Sequence, residues 1–131
     1  MPDSSLWLSA GGGAARLVVD NSGFIGVNQQ NPLTYMDVNG SIAGAITTGT
    51  GSKTLTAADF THIILSTASA VTITLPAANT CRRRIYYLVN QDNGTQTVSS
   101  FLNLTGVATT TINAVTSLML QSDGTNWYQI R

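Results

Sequence analysis

Three consecutive arginines, Arg82, Arg83 and Arg84, are the most distinctive chemical feature of this sequence. They are half of the six basic residues in a chain of which only 9% is charged. Guanidinium groups bind carboxylates and phosphates through paired hydrogen bonds. The run therefore indicates a site for an anionic ligand, such as a phosphate or an acidic sugar, or else intersubunit pairing with Asp residues or a solvated loop. Strand alternation would place Arg82 and Arg84 on one face and Arg83 on the other.

A second candidate is aromatic. Trp127 and Tyr128, together with Tyr86 and Tyr87, could form a platform on which a sugar ring stacks, or they could fill a core and a subunit interface. Strand alternation separates Trp127 from Tyr128, so at most one of them is expected to face solvent. The candidate ligand-binding residues are Arg82, Arg83, Arg84, Trp127 and Tyr128.

Catalytic and metal chemistry are not expected from this sequence. Glycan hydrolysis needs a pair of carboxylates placed across a bond, but the chain has no Glu and its six Asp residues are scattered. Four of them lie in or beside turns, where an Asp usually binds its own backbone: Asp20, Asp37, Asp92 and Asp123. The single His62 and single Cys81 have no second ligand at metal-binding spacing, so we predict structural roles for both, no enzyme activity and no cofactor.

Composition excludes several further classes. A net charge of zero argues against nucleic-acid binding, and 43% hydrophobic residues without a charge block argue against disorder. The first 20 residues do not resemble a signal peptide, and no apolar run approaches the roughly 20 residues of a membrane span. A neutral, Thr-rich surface with open strand edges would aggregate, so we expect other copies of the chain to close those edges.

The patterning predicts an all-β protein in two parts. Residues 51–131 carry six or seven short strands, including the alternating segment 71–76 and a hairpin over 117–131, and these predict a small antiparallel β-sandwich or barrel-like head. Residues 1–50 carry three or four short strands with little apolar content, and the Gly-rich stretch 41–53 is interpreted as a linker.

The first part is too poor in apolar residues to fold alone. Fixing each residue costs about 1–2 kcal/mol of backbone entropy, whereas burying a Val or Leu returns about 1.5–3 kcal/mol. We therefore expect an intertwined trimeric stem in which apolar residues meet their copies on a shared axis. The expected trimer-interface residues are Leu17, Val19, Phe24, Ile25, Val27, Met36, Val38 and Ile42.

Residues 23–40, GFIGVNQQNPLTYMDVNG, resemble the repeated GNVGIGT-x-NP-x-x-x-LDVNG module of bacteriophage tail fibres and related viral fibre proteins. The matching residues are Gly23, Ile25, Gly26, Asn31-Pro32 and the run 37–40. Val27-Asn28 stands where the module has Gly-Thr. The segments 71–78, 86–92, 111–120 and 122–130 are similar to small fibre-tip domains, which usually have a Gly within the region that is Cys81-Arg82-Arg83-Arg84 here.

The resemblance implies a homotrimeric, β-rich segment of a viral fibre that ends in a tip domain, located in the virion and made in the host cytoplasm. Such tips often contact a host-surface glycan. We therefore predict a non-enzymatic structural and adhesion module for host attachment, with residues 1–50 as the stem and 51–131 as the tip. Met1 followed by a partial module suggests a segment of a longer chain. The alternatives are a monomeric carbohydrate-binding domain of a larger enzyme and a tip with depolymerase activity.

Overall fold

The computed structural model describes residues 5–9, 11–13, 16–66 and 69–131, and these residues form an all-β structure. The chain divides into two compact units, Met1–Ala43 and Gly44–Arg131. The described residues of the first unit form a four-stranded sheet of β1 (Leu6–Leu8), β2 (Leu17–Val19), β3 (Ile25–Val27) and β4 (Met36–Val38), in that order. The pairs β1/β2 and β2/β3 are antiparallel, and β3/β4 is parallel.

The register of these strands brings apolar side chains together on one face of the sheet. Residues that are partners across a sheet point to the same face, and neighbours along a strand point to opposite faces. Two rows of partners share one face, and all eight of their side chains are aliphatic or Met. The rows are Leu6–Val19–Ile25–Met36 and Leu8–Leu17–Val27–Val38. We call these eight residues the apolar sheet face.

The described residues of the first unit do not cover the apolar sheet face. None of its eight side chains is buried; Leu6, Leu8, Ile25 and Met36 are exposed, and the rest are half-buried. Met36 retains 62% of its surface in contact with solvent. Soluble monomers rarely leave a contiguous apolar patch of this kind in water.

The opposite face carries the middle row Trp7–Val18–Gly26–Asp37 and is partly covered by the loop between β3 and β4. Val18 and Pro32 are the buried apolar side chains among the described residues of this unit. The loop passes so close to the sheet that a Cβ at Gly26 would overlap the carbonyl oxygen of Gln29. Asp37 Oδ2 accepts a hydrogen bond of 3.1 Å from the Leu33 backbone N–H, which ties the loop to β4.

The second unit is one sheet whose strands curl around a shared core. Its strands are β5 (Ile46–Gly49), β6 (Lys53–Thr54), β7 (Thr61–Ile64), β8 (Thr72–Thr74), β9 (Ile85–Asn90), β10 (Gln96–Leu102), β11 (Ala108–Ile112), β12 (Thr116–Ser122) and β13 (Trp127–Gln129). Their order is β5-β7-β9-β12-β13-β10-β8-β6, and β11 pairs with β10.

The pairing is mixed, so the expectation of an antiparallel head is wrong in that respect. Five pairs are parallel, namely β5/β7, β7/β9, β6/β8, β8/β10 and β10/β13. The reason is the path of the chain: from β5 to β10, successive strands alternate between the two halves of the sheet. Strands two apart in sequence therefore lie side by side and run in the same direction.

One hydrophobic cluster joins both halves of this sheet. Ile64, Leu88 and Leu120 come from one half, Ile73 and Val98 come from the other, and all five are buried in the same cluster. In the predicted alternating segment, the apolar residues at 71, 73 and 75 are buried and the threonines at 72 and 74 are exposed. The predicted C-terminal hairpin is also present, because β12 and β13 pair antiparallel.

The boundary between the units lies earlier than the predicted one. The stretch 41–53, interpreted from its glycines as a linker, contains β5 and the first residue of β6. β5 pairs along its whole length with β7, so residues 46–49 belong to the sheet of the second unit. Thr47 and Thr48 supply the β-branched side chains that favour this extended conformation.

His62 is buried inside the second unit. Its side chain is 2% exposed, Nδ1 lies 2.9 Å from Thr47 Oγ1, and Nε2 has no hydrogen-bond partner among the described residues. A protonated imidazole would carry a second N–H that needs an acceptor. Burial lowers the pKa of His62, and the nearby Lys53 ammonium lowers it further, whereas Asp59 acts in the opposite direction.

We expect acid to destabilise the second unit through His62. Because the folded-state pKa lies below the unfolded value, the stabilisation is complete above about pH 6.5 and is lost as the pH falls below that value towards the folded-state pKa. The slope should reach at most about 1.4 kcal/mol per pH unit. Urea unfolding between about pH 7 and about pH 5, at fixed protein concentration, measures it. His62→Leu should give a flatter series, and equal slopes in both proteins would contradict this assignment.

We expect Gly26→Ala to destabilise the first unit. The added methyl group would displace the backbone at Gln29, and overpacking of this kind typically costs about 1–3 kcal/mol. Gly13→Ala is the matched control, because a Cβ at Gly13 meets no atom within 4 Å. Thermal unfolding followed by circular dichroism should show a lower midpoint for Gly26→Ala only. Equal midpoints for the two variants would show that the loop at Gln29 can move aside without a loss of stability.

Candidate functional site

The arginine run lies in a turn that is fastened to the end of β12. Cys81 is buried and follows a single 3-10 turn at Ala78–Thr80. The backbone N–H of Arg83 donates to Ser122 O at 2.8 Å, and the N–H of Ser122 donates to Arg84 O at 3.1 Å. These two bonds hold the arginines beside the β12–β13 hairpin.

Arg83 has an unusual backbone conformation. Its φ of 69° lies in the left-handed region, which glycine adopts readily and other L-residues adopt at a cost. A large charged side chain thus occupies a position where the backbone conformation favours glycine. Residues in such strained conformations often lie at functional sites.

The turn also overturns the predicted distribution of the three guanidinium groups. Alternation would have paired Arg82 with Arg84, but Arg82 and Arg83 line the same pocket. Arg84 departs from them, and its Nη1 donates to the Tyr86 hydroxyl at 3.3 Å. The physical reason is the left-handed residue, because a strand alternates its side chains only while its backbone stays extended.

The two C-terminal aromatic residues are separated as predicted. Trp127 is 4% exposed, its Nε1–H donates to Pro76 O at 2.9 Å, and its ring lies 5.3 Å from that of Tyr86. A sugar-stacking platform needs an exposed ring face, so the proposal of Trp127 as a ligand-binding residue does not hold. Tyr128 is 36% exposed and lines the arginine pocket.

The arginine pocket is a shallow surface depression of about 380 Å³. Its lining comes from the arginine turn, from β12, from the turn between β12 and β13, from β13 and from the residue that follows β13. The lining residues are Arg82, Arg83, Gln121, Ser122, Asp123, Tyr128 and Ile130. Three of the five predicted ligand-binding residues, Arg82, Arg83 and Tyr128, therefore meet in one place. Sequence analysis did not single out Gln121 or Ile130, because both are ordinary residues at the end of a hairpin.

The electrostatics of the pocket leave two guanidinium groups available. Among the described residues the one ion pair is Lys53–Asp59, at 3.0 Å, so neither Arg82 nor Arg83 has a carboxylate partner there. The aliphatic part of the Arg82 side chain lies over Gly124. A Cβ added at Gly124 would be 3.2 Å from Cγ and Cδ of Arg82. The turn therefore supports the aliphatic part of Arg82 while its charged end reaches solvent.

Asp123 is the acidic member of the pocket. Its Oδ1 accepts hydrogen bonds from the backbone N–H groups of Thr125, at 2.7 Å, and Asn126, at 2.8 Å. The N–H groups of Asn126 and Thr125 lower the pKa of Asp123, with a smaller contribution from Tyr128. Asp123 is therefore ionised at neutral pH, and two arginines and one carboxylate give the pocket a net charge of +1.

The remaining acids predicted to stabilise turns do so. Asp20 Oδ1 accepts from the backbone N–H groups of Ser22 and Phe24, and Asp92 Oδ2 accepts from Gly94. Asp92 also accepts from Gln96 Nε2 at 2.8 Å, within a buried polar network. Within the described ranges, no three His, Cys, Asp or Glu side chains come together as a metal site requires. These same ranges contain no helix with the length and hydrophobicity needed to cross a bilayer.

Two further pockets have a different chemistry. One, of about 340 Å³, lies along the Pro76–Ala78 segment and Phe101, with Trp127 in its lining. The other, of about 330 Å³, belongs to the first unit and is lined by Trp7, Asp20 and amide side chains. Neither contains a basic side chain.

The predicted trimer-interface residues largely share one surface. Six of the eight lie on the apolar sheet face: Leu17, Val19, Ile25, Val27, Met36 and Val38. Phe24 instead packs edge-to-face against Tyr35, with ring centroids 5.2 Å apart, and Ile42 is exposed beyond β4. Leu6 and Leu8 complete the face. The analysis of the sequence missed both, although their alternation around Trp7 is a signal for a strand.

The chain was compared with family models, with curated proteins and with solved structures, and none of them matches it. The structure is that of an all-β protein with two compact units.

We expect Arg83→Gly to stabilise the second unit. The left-handed conformation costs a non-glycine residue about 1–2 kcal/mol. Glycine avoids this cost, but it stabilises the unfolded chain by about 0.5–1 kcal/mol through its greater conformational freedom. The net gain should be roughly 0.5–1 kcal/mol in urea unfolding. Arg82→Gly removes the same charge at a position without positive φ, so it should be neutral or destabilising. A loss of stability in Arg83→Gly would show that the side chain itself supports the fold.

Proposed function

We propose that this chain is a structural and adhesion module of a viral, phage-type fibre. In this proposal three copies associate through their first units, the second unit forms the tip, and the tip contacts a host-surface glycan. The module is non-enzymatic and acts in the virion, outside the cell. The observation that carries the proposal is the apolar sheet face of the first unit.

The energetics of that face favour association with further copies. Burying one such side chain fully is worth about 1.5–3 kcal/mol, and eight of them stand partly or largely in water. Association itself costs an estimated 4–15 kcal/mol, so a face of this size can offset that cost. By contrast, Val18 and Pro32, the buried apolar side chains among the described residues of the first unit, give it almost no core of its own.

The number of copies follows from the resemblance of residues 23–40 to the fibre module. A closed threefold arrangement can turn each apolar face towards the other two, which leaves none of them open to further association. The low charge content and zero net charge of the chain fit this arrangement. Little charge repulsion is available to prevent aggregation, and a closed arrangement leaves no apolar face open to further copies.

We expect sedimentation or light scattering to give the mass of three copies of the 13.8-kDa chain. Met36→Lys places a charge on the apolar sheet face and should shift the population towards single copies, because the buried ammonium would be unpaired. Leu33→Lys is the matched control, since Leu33 is still more exposed but lies in the loop, off that face.

A well-folded wild-type protein with the mass of one copy would overturn the trimeric fibre and favour the alternative, a monomeric carbohydrate-binding domain. Dissociation by Leu33→Lys but not by Met36→Lys would place the association surface elsewhere. Release of reducing sugar from capsular polysaccharide would overturn the non-enzymatic assignment.

A further inference from the structure

We propose that the arginine pocket of the second unit binds an acidic saccharide, a sugar that carries a carboxylate or a phosphate group. This inference rests on the proposed function for the nature of its ligand, a glycan on a host surface. The pocket itself is defined by Arg82, Arg83, Gln121, Asp123, Tyr128 and Ile130.

The two arginines determine the charge of the ligand. Arg82 and Arg83 are exposed, line one pocket and have no carboxylate partner among the described residues. A guanidinium group recognises the paired oxygens of a carboxylate or a phosphate in its own plane. The second unit therefore offers two preformed, unpaired donors on one side of a depression.

The other lining residues determine that the anion is carried by a sugar. The half-exposed ring of Tyr128 and the side chain of Ile130 give the pocket an apolar wall for the C–H face of a pyranose ring. Asp123 remains ionised and can accept hydrogen bonds from hydroxyl groups, whereas Gln121 can donate or accept. An isolated anion would meet the repulsion of Asp123 without the benefit of these contacts.

The backbone of Arg83 gives a second, independent reason. At a φ of 69°, arginine makes the fold less stable than glycine would. The Arg83 side chain makes no hydrogen bond or ion pair with the described residues, so contacts within the chain do not explain why an arginine occupies this position. Binding of an external anion does explain the arginine.

The test is a titration of the intact chain followed by two-dimensional NMR of backbone amides and arginine Nε–H groups. The probes are glucuronate, glucose 6-phosphate, glucose and inorganic phosphate. We expect saturable shifts at Arg82, Arg83 and Gly124 with one or both charged sugars, and the comparison of the two distinguishes carboxylate from phosphate. Glucose and inorganic phosphate should bind at least about tenfold more weakly, because each lacks half of the contacts.

Two variants separate recognition from general charge. Arg83→Gly should weaken binding of the charged sugars about tenfold or more while its melting temperature is maintained or raised. Arg84→Gln removes one positive charge from the adjacent residue, whose guanidinium contacts Tyr86 outside the pocket, and should leave affinity within about twofold. Equal weakening by the two variants would overturn the site in favour of non-specific electrostatic attraction.

The outcomes also separate this inference from the proposed function. A sample that has the mass of three copies but shows no shift with either charged sugar overturns the site and leaves the fibre module intact. A single-copy sample that binds a charged sugar overturns the fibre module and supports the site. Binding of inorganic phosphate as tight as that of the sugars overturns the assignment of a saccharide.

Discussion

The first unit of this protein depends on an apolar surface that the described residues of this unit do not cover. Eight aliphatic and Met side chains from four short strands lie on one face of a sheet, and the loop of the same unit covers only the other face. A sheet normally buries one face against another layer. In the trimer that we propose, other copies of the chain supply that layer, and the local register of three-residue strands determines which surface associates.

The second unit satisfies the same physical requirement internally. Its chain crosses between two halves of a curled sheet, so each new strand is added next to one that is already in place and a single cluster fills the space between them. Polar contacts close this arrangement where side chains alone do not. The Tyr86 hydroxyl donates to Thr56 O at 2.7 Å, and Gln96 Oε1 accepts from the Val71 N–H at 2.6 Å. The rigid framework that results holds the arginine turn at its surface.

The sequence predicted those features that depend on neighbouring residues. Alternation over 71–76, the Asp-capped turns and the C-terminal hairpin follow from local preferences, and each is present in the structure. Alternation also separated Trp127 from Tyr128 correctly. Six of the eight residues of the apolar sheet face could be predicted from the sequence, because the first unit has few apolar residues and these occur in short groups between turns.

The features that could not be predicted depend on distant parts of the chain or on a single dihedral angle. Parallel pairing of β5 with β7 depends on where β6 goes, and a Gly-rich stretch gives no periodic signal for either strand. Arg83 was assigned to an extended run because its neighbours favour one, but its φ is left-handed in the turn that is hydrogen-bonded to Ser122. That one angle decides which arginines share a pocket, so the composition of the candidate site could be predicted only in part.

The position of β13 has a consequence for how the second unit is made. β13 is the last strand of the unit in sequence, yet it lies between β12 and β10 and is the strand that joins the two halves of the sheet. During translation the ribosome releases residues in order, so the hydrogen bonds between the two halves of the sheet are not complete until residues 127–129 have left the exit tunnel. Until then the inner edges of β10 and β12 lack the strand that pairs with them, and these edges are the surfaces that a chaperone would need to protect.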